Sequence, residues 1–177
     1  MLGTSAYSTL LATRRELARL LGLAPGLDLG FESHDDALRF MPAYQRYNGI
    51  IYRTSRLRQL YKPNGNRHVV IVSALYGLLD VADPIRDYNL AMSDTLYGRR
   101  LHTWWEQRGL GKTLCEYTRH LLPKATFDLL PGAYRKAIKF WPECLQNILS
   151  VQRFIYPGQG TGSTYRRGED LGKLLYD

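Results

Sequence analysis

Cysteine is almost missing from this chain: its 177 residues include two, Cys115 and Cys144. Two thiols cannot make the dense disulfide framework of a small secreted domain, and a chain of this length can bury a core without one. Both are therefore expected as buried free thiols. Long apolar runs are missing too; none approaches the roughly 18 residues of a membrane-spanning helix. Met1 to Leu11 lacks the cationic start and apolar middle of a secretory signal, so a cytoplasmic location is expected. No repeat, low-complexity tract or long linker divides the chain, which predicts one domain over residues 1–177. Acidic residues are the scarcer charge, 16 against 24 Lys and Arg, giving a formal charge of +8 and a pI near 9.6. Such an excess attracts polyanions, whether nucleic acid, nucleotides or an anionic surface, without choosing among them.

Apolar periodicity supplies the outline. Thr9 to Leu21 reads as an amphipathic helix, with Leu10, Leu17, Leu20 and Leu21 inward and Arg14, Arg15 and Arg19 around the other side. Ser33 and Asp36 form a capping signal for a short helix over Ala37 to Met41, and Arg53 to Tyr61 reads as another helix. Val69 to Val72 is a β-branched run between turn formers, the pattern of a central strand covered on both faces. Ser73, Tyr76, Asp80, Asp83, Arg86, Asp87 and Tyr88 follow in a Gly- and Pro-marked loop, at the strand end where α/β sheets hold ligands. Leu101 to Leu121 reads as one helix, or two broken near Gly109 and Gly111. Thr126 to Leu130 and Ile148 to Tyr156 read as strands, Ala133 to Phe140 as a basic helix and Tyr165 to Leu175 as a last helix. The fold class is α/β, a small mixed sheet flanked by helices.

Several motifs fail on spacing. Gly111-Lys112-Thr113 has Glu106 where a phosphate loop needs its first glycine, and no strand precedes it. The histidines and cysteines have no zinc-ligand spacing, so no metal and no cofactor is expected. Ser73 lacks the elbow of a nucleophilic serine. Gly158 to Gly162 could cradle a phosphate or be a surface loop, and Leu130 to Ala133 resembles a helix-hairpin-helix turn with Tyr134 in place of its second glycine. More informative is tyrosine interleaved with basic residues, as at Tyr97/Arg99/Arg100, Tyr134/Arg135/Lys136 and Tyr165/Arg166/Arg167. Arginine neutralises phosphate while tyrosine offers a stacking face, a pairing common on nucleic-acid surfaces.

The motif loop also carries a resemblance. Ser73, Leu75, Tyr76, Gly77, Leu79, Asp83, Tyr88, Leu90 and Met92 stand in the register of the pattern S-x-L-Y-G-x-L-x-x-x-D-x-x-x-x-Y-x-L-x-M. Tyr47-Asn48-Gly49 with Tyr52, then Trp105, then Asp128-Leu129 with Tyr134 and Lys136, match further patches. On these residues the chain resembles the YaaA family of peroxide-stress proteins, also called DUF328, over about residues 10 to 140. It departs from that family in lacking the N-terminal Ser-Pro-Ala-Lys strand, in Ile50, in Asp80-Val81, in Trp105-Glu106-Gln107 and in the tail from Ile148.

The resemblance implies a cytoplasmic protein that limits hydrogen-peroxide damage from free iron and binds duplex or branched DNA in a positive cleft. Phosphates would be held by Arg99, Arg100, Arg135, Lys136, Lys139, Arg166 and Arg167. Asn48, Tyr52, Ser73 and Tyr134 would line the cleft, with Tyr76, Asp83 and Tyr88 on its floor. An alternative makes the chain an enzyme on a nucleotide, nucleoside or flipped base, with Asp83 or Asp87 as general acid or base, Tyr76 or Tyr88 stacking or donating a hydrogen bond, and the Gly158 to Gly162 loop closing on a phosphate. A third reading docks the basic face on an acidic protein. No membrane partner is expected.

Overall fold

A computed structural model describes residues 4–32, 35–62, 65–146, 148, 150–157 and 160–176. The chain opens with α1 (Thr4–Leu20), which buries Leu10, Leu17 and Ala18. Two 3-10 turns follow, Leu27–Leu29 and Asp36–Leu38, the second capped by the Asp35 carboxylate, which accepts from the Ala37 N–H. The short helix expected at Ala37 to Met41 is thus a single turn capped by Asp35; Ser33 lies outside the described residues. Next come β1 (Met41–Pro42), α2 (Ala43–Arg46), α3 (Ile50–Thr54) and α4 (Leu57–Leu60). Arg56, at φ +54°, separates the last two, so the expected helix from Arg53 to Tyr61 is in fact a pair.

The central strand is β2 (Val70–Ser73), and it turns back at once into β3 (Gly77–Asp80). Their antiparallel register runs from Val70 opposite Asp80 to Ser73 opposite Gly77. The segment expected to be a ligand loop is therefore a hairpin, buried from Ile71 to Leu79. Two contacts fix its turn. The Tyr76 N–H donates to Ser73 Oγ at 3.1 Å, and Gly77 takes φ +72° where an added Cβ would lie 2.7 Å from the Trp105 ring and 2.8 Å from Leu110. Only glycine meets both demands. Trp105 then donates its indole N–H to the Ala74 carbonyl at 2.8 Å, tying this hairpin to the helix that follows.

Beyond it lie β4 (Pro84–Ile85), antiparallel to β1, and the hairpin of β5 (Thr95–Leu96) and β6 (Arg99–Arg100). Tyr97 and Gly98 both have positive φ, the requirement of a tight two-residue turn. The apolar stretch after it is two helices, α5 (Leu101–Gln107) and α6 (Leu110–Leu121), broken at a left-handed Gly109. Then come β7 (Thr126–Asp128), α7 (Gly132–Ala137), a 3-10 turn at Glu143–Leu145, β8 (Val151–Arg153) and α8 (Thr161–Tyr176). β8 runs parallel to β7, with Asp128 opposite Arg153. The architecture is mixed α/β, small sheets flanked by helices, with the strands among the described residues grouped as four two-stranded ladders. α8 packs along α3 and α4, while α5 packs on α7. Among the described residues, no helix is long and apolar enough to cross a membrane.

The cysteine expectation is corrected. Cys115 of α6 and Cys144 of the 3-10 turn form a disulfide, their Cα atoms 6.4 Å apart across 29 positions of sequence. Composition argued against a disulfide framework but could not show that these two residues are neighbours. Gly111 explains the false phosphate-loop motif: it lies inside α6, where an added Cβ would sit 2.4 Å from the Lys139 carbonyl. Its small size permits close backbone approach.

Candidate functional site

The motif residues divide between two environments. Tyr76 is wholly buried, and its hydroxyl donates to Asp28 Oδ2 at 2.6 Å. Arg86 binds the same carboxylate through two bonds of 2.7 Å, from Nε to Oδ2 and from Nη2 to Oδ1, while its backbone N–H donates to the Tyr76 oxygen at 3.2 Å. The forked geometry matches guanidinium to carboxylate and offsets the cost of burying both charges. Arg14, expected on the solvent face of α1, is 5% exposed and donates to the Tyr76 and Leu78 carbonyls. Burial pushes the Tyr76 phenol upward, and the hydrogen bond to Asp28 adds to it. This group fastens α1, the 3-10 turn at Asp28, the β2–β3 hairpin and the start of β4's exit into one unit.

A second group lies against it. Ser73 Oγ is 2.9 Å from the Tyr88 hydroxyl, which is 2.5 Å from that of Tyr47. Tyr47 stacks on Tyr52 with centroids 4.9 Å apart, and Tyr88 stands edge-on to Tyr76 at 5.5 Å. Tyr134 of α7 is near enough to act electrostatically on Tyr52 and Tyr88. Burial raises the phenols of Tyr47, Tyr52, Tyr88 and Tyr134 above the ordinary tyrosine value. At neutral pH all four are protonated, so they can donate hydrogen bonds or stack but cannot abstract a proton. Asn48, at the adjoining turn, is exposed. Asp83 is elsewhere: it accepts from the Asp80 N–H at 3.1 Å, lies 3.9 Å from Arg14 and acts on Tyr117. Burial raises its carboxyl, against the pull of Arg14.

The cations converge on a cleft of about 470 Å³ between α5, α7 and the β7–β8 ladder. Arg135, Lys136 and Lys139 line it, together with His102, Asp128 and Arg153. Asp128 is almost fully buried, and its Oδ2 is shared by Arg135 at 2.9 Å and Arg153 at 3.1 Å. One carboxylate between two guanidinia leaves positive charge over, while Lys136 and Lys139 extend into solvent. Glu106 and Glu143 stand on the same walls and moderate that field. Burial lowers the His102 imidazole, followed by repulsion from Lys136 and Arg100, so the ring is neutral at pH 7. Arg100 thereby belongs to this neighbourhood, and Arg99 beside it donates to Gln107 at 2.6 Å.

The remaining two predicted phosphate ligands are placed differently. Arg167 is buried, stacked 4.5 Å over Tyr156 and donating to Ser163 Oγ, so it is a packing residue of α8. Arg166 is exposed and donates to the Pro157 carbonyl at 2.6 Å. Of the Gly158 to Gly162 loop, Gly158 and Gln159 lie outside the described residues, and Thr161 and Gly162 already belong to α8. Sequence reading missed Asp28, Arg153 and His102. Asp28 had one signal, an acid between two leucines, and Arg153 had none beyond its place in a strand. Among the described residues, no group of three or more His, Cys, Asp or Glu is placed to hold a metal ion.

Comparison with known proteins gives three findings. The family model described as peroxide stress protein YaaA matches residues 6–161. A UPF0246 protein of Leptothrix cholodnii (strain ATCC 51168 / LMG 8142 / SP-6) is 31% identical over 104 residues, covering 55% of this chain and 38% of that relative. The chain therefore spans well under half the length of that relative. No solved structure matches it.

Proposed function

Because the chain belongs to the peroxide stress protein YaaA family, we propose that it takes part in peroxide defence by holding nucleic acid, duplex or branched DNA, against the cleft lined by Arg135, Lys136, Lys139 and Arg153. The observation that carries this reading is the grouping of those four cations in one cleft, the two arginines on its buried carboxylate, Asp128, with Arg99 and Arg100 on the neighbouring hairpin. Exposed lysines and arginines on a concave wall neutralise phosphates and release counterions, giving binding without a cofactor. Burial keeps the phenols beside α7 protonated at neutral pH, so they are available to stack or to donate hydrogen bonds.

Duplex DNA affinity is expected to fall steeply as salt rises. Replacing both Lys136 and Lys139 by Ala should lower affinity roughly tenfold and reduce the salt slope by about two phosphate contacts. Fluorescence anisotropy with labelled duplex and four-way-junction DNA checks both. An affinity that stays flat from low to physiological salt, or a double variant that binds like the parent, would sink the proposal.

A further inference from the structure

The disulfide stands in a particular relation to the cleft. Cys115 and Cys144 close a loop of sequence that contains eight of the twelve residues lining it, Arg135, Lys136 and Lys139 among them. Residue 144 immediately follows Pro142 and Glu143, which form one wall. Its partner Cys115 lies in the middle of α6, packed in the core through Leu110, Leu114 and Thr118. The bond thus adds a covalent tie between α6 and a wall of the cleft that otherwise meets this helix through single hydrogen bonds, Arg119 to the Cys144 carbonyl and the Trp141 indole to Thr118 Oγ1, and through the packing of Gly111. A domain with this core has little need of a covalent staple in order to fold.

We propose that Cys115 and Cys144 form a peroxide-oxidisable thiol pair that sets the geometry of the basic cleft, the oxidised form being the tighter binder of DNA. The inference rests on the reading of that cleft as a nucleic-acid site. Residue 144 is half-buried and residue 115 is buried, which assigns the first attack to Cys144 and the second to Cys115. Arg119 of α6 donates to the Cys144 carbonyl at 2.7 Å, which keeps the main chain of residue 144 beside the helix that carries Cys115. In the reduced protein the Cys144 thiolate attacks one oxygen of hydrogen peroxide. The O–O bond breaks, Cys144 becomes a sulfenic acid, and the departing hydroxide takes a proton to become water. Cys115 then loses its proton and attacks Cys144 Sγ, forming the S–S bond and expelling the second oxygen as water. The two sulfurs give up two electrons, and the peroxide is reduced to two molecules of water.

With the bond closed, the wall at Pro142 and Glu143 cannot move away from α6, and the lysines are held in the arrangement that meets phosphates. Opening it enlarges the set of arrangements, so only a fraction of molecules is ready to bind, and apparent affinity falls by that fraction. The test uses the full chain. Protein reduced with a dithiol is titrated with hydrogen peroxide, free thiols are counted by alkylation and intact mass, and duplex DNA affinity is measured for both forms at one salt concentration. Near-stoichiometric peroxide should convert two thiols to one disulfide and tighten binding about tenfold, reversibly on reduction. Cys144→Ser should stay at the reduced value with or without peroxide, its fold checked by circular dichroism; the reduced wild-type arm needs no substitution.

Disulfide formation with unchanged affinity would overturn the switch while leaving the nucleic-acid reading intact. Thiols that stay free, or pass to sulfinic acid without pairing, would overturn the chemistry. DNA binding absent from both forms would remove the reading of the cleft and the affinity switch together, whatever the thiol count.

Discussion

The polar knot around Asp28 and the cleft around Lys136 both set arginine against a buried aspartate, and put that pairing to opposite uses. In the knot, Asp28 receives Tyr76 and both arms of the Arg86 fork, and Arg14 ends on backbone carbonyls. No charge is left to face a ligand. In the cleft, Asp128 serves two arginines at once, while Lys136 and Lys139 are exposed and, among the described residues, form no ion pair. Protein acceptors thus satisfy the cations of the knot, while in the cleft Arg135 and Arg153 share one carboxylate and Lys136 and Lys139 stand exposed. Basic residues in the sequence carry no mark of that difference.

Three perturbations test the contrast, beginning with the largest. Asp28→Ala leaves Arg86 buried with no partner, which should cost about 3–5 kcal/mol and lower the melting temperature by roughly 10 °C. DNA affinity, measured well below that temperature, should change less than about twofold, since rim contacts elsewhere are untouched. A variant that melts like the parent but no longer binds would invert the assignment of the two regions.

Alkaline pH comes second. The folded values of Tyr47, Tyr52 and Tyr76 lie above the 10.0 of an unperturbed phenol, because burial disfavours phenolate, and Tyr117 is pushed up to about 12 for the same first reason. The folded state thus keeps protons that the unfolded chain releases. Stability is fully present below about pH 10 and falls above it, by about 1.4 kcal/mol per pH unit for each buried phenol that stays protonated. Denaturant midpoints should drop over that range, and phenolate absorbance should stay short of the full count of 13 tyrosines until the protein unfolds. All 13 titrating near pH 10 in the folded protein would show that the tyrosine group is open to solvent.

The smallest effect belongs to Tyr47→Phe, which removes one hydroxyl from the Ser73, Tyr88, Tyr47 chain. A loss of about 1 kcal/mol, or 2–4 °C in melting temperature, is expected with DNA binding intact. Weakened binding in this variant would move the tyrosines from support to contact.

What could be read beforehand follows from the range of the interactions. α1, the break at Gly109 and the basic segment at α7 are legible because periodicity, a left-handed glycine and local charge act within a few residues. The β2–β3 hairpin was hidden because Gly77 and Asp80 look like loop residues, while the packing of Trp105 over Gly77 comes from nearly thirty positions away. Distance in sequence also hid Asp28, whose partners are Tyr76 and Arg86, and it moved Arg14 and Arg167 from the expected surface to the interior. Arg135, Lys136 and Lys139 were found together because one short stretch of chain delivers all three to the same wall.

At Gly111, α6 touches the backbone at residues 138 and 139 more closely than any side chain would permit. The exposed side chain of Lys139 therefore grows from a main-chain platform referenced to the hydrophobic interior. Loosening α6 would disperse the cation array together with the core that Leu110 and Leu114 share, so warming should silence the cleft and melt the protein in one step.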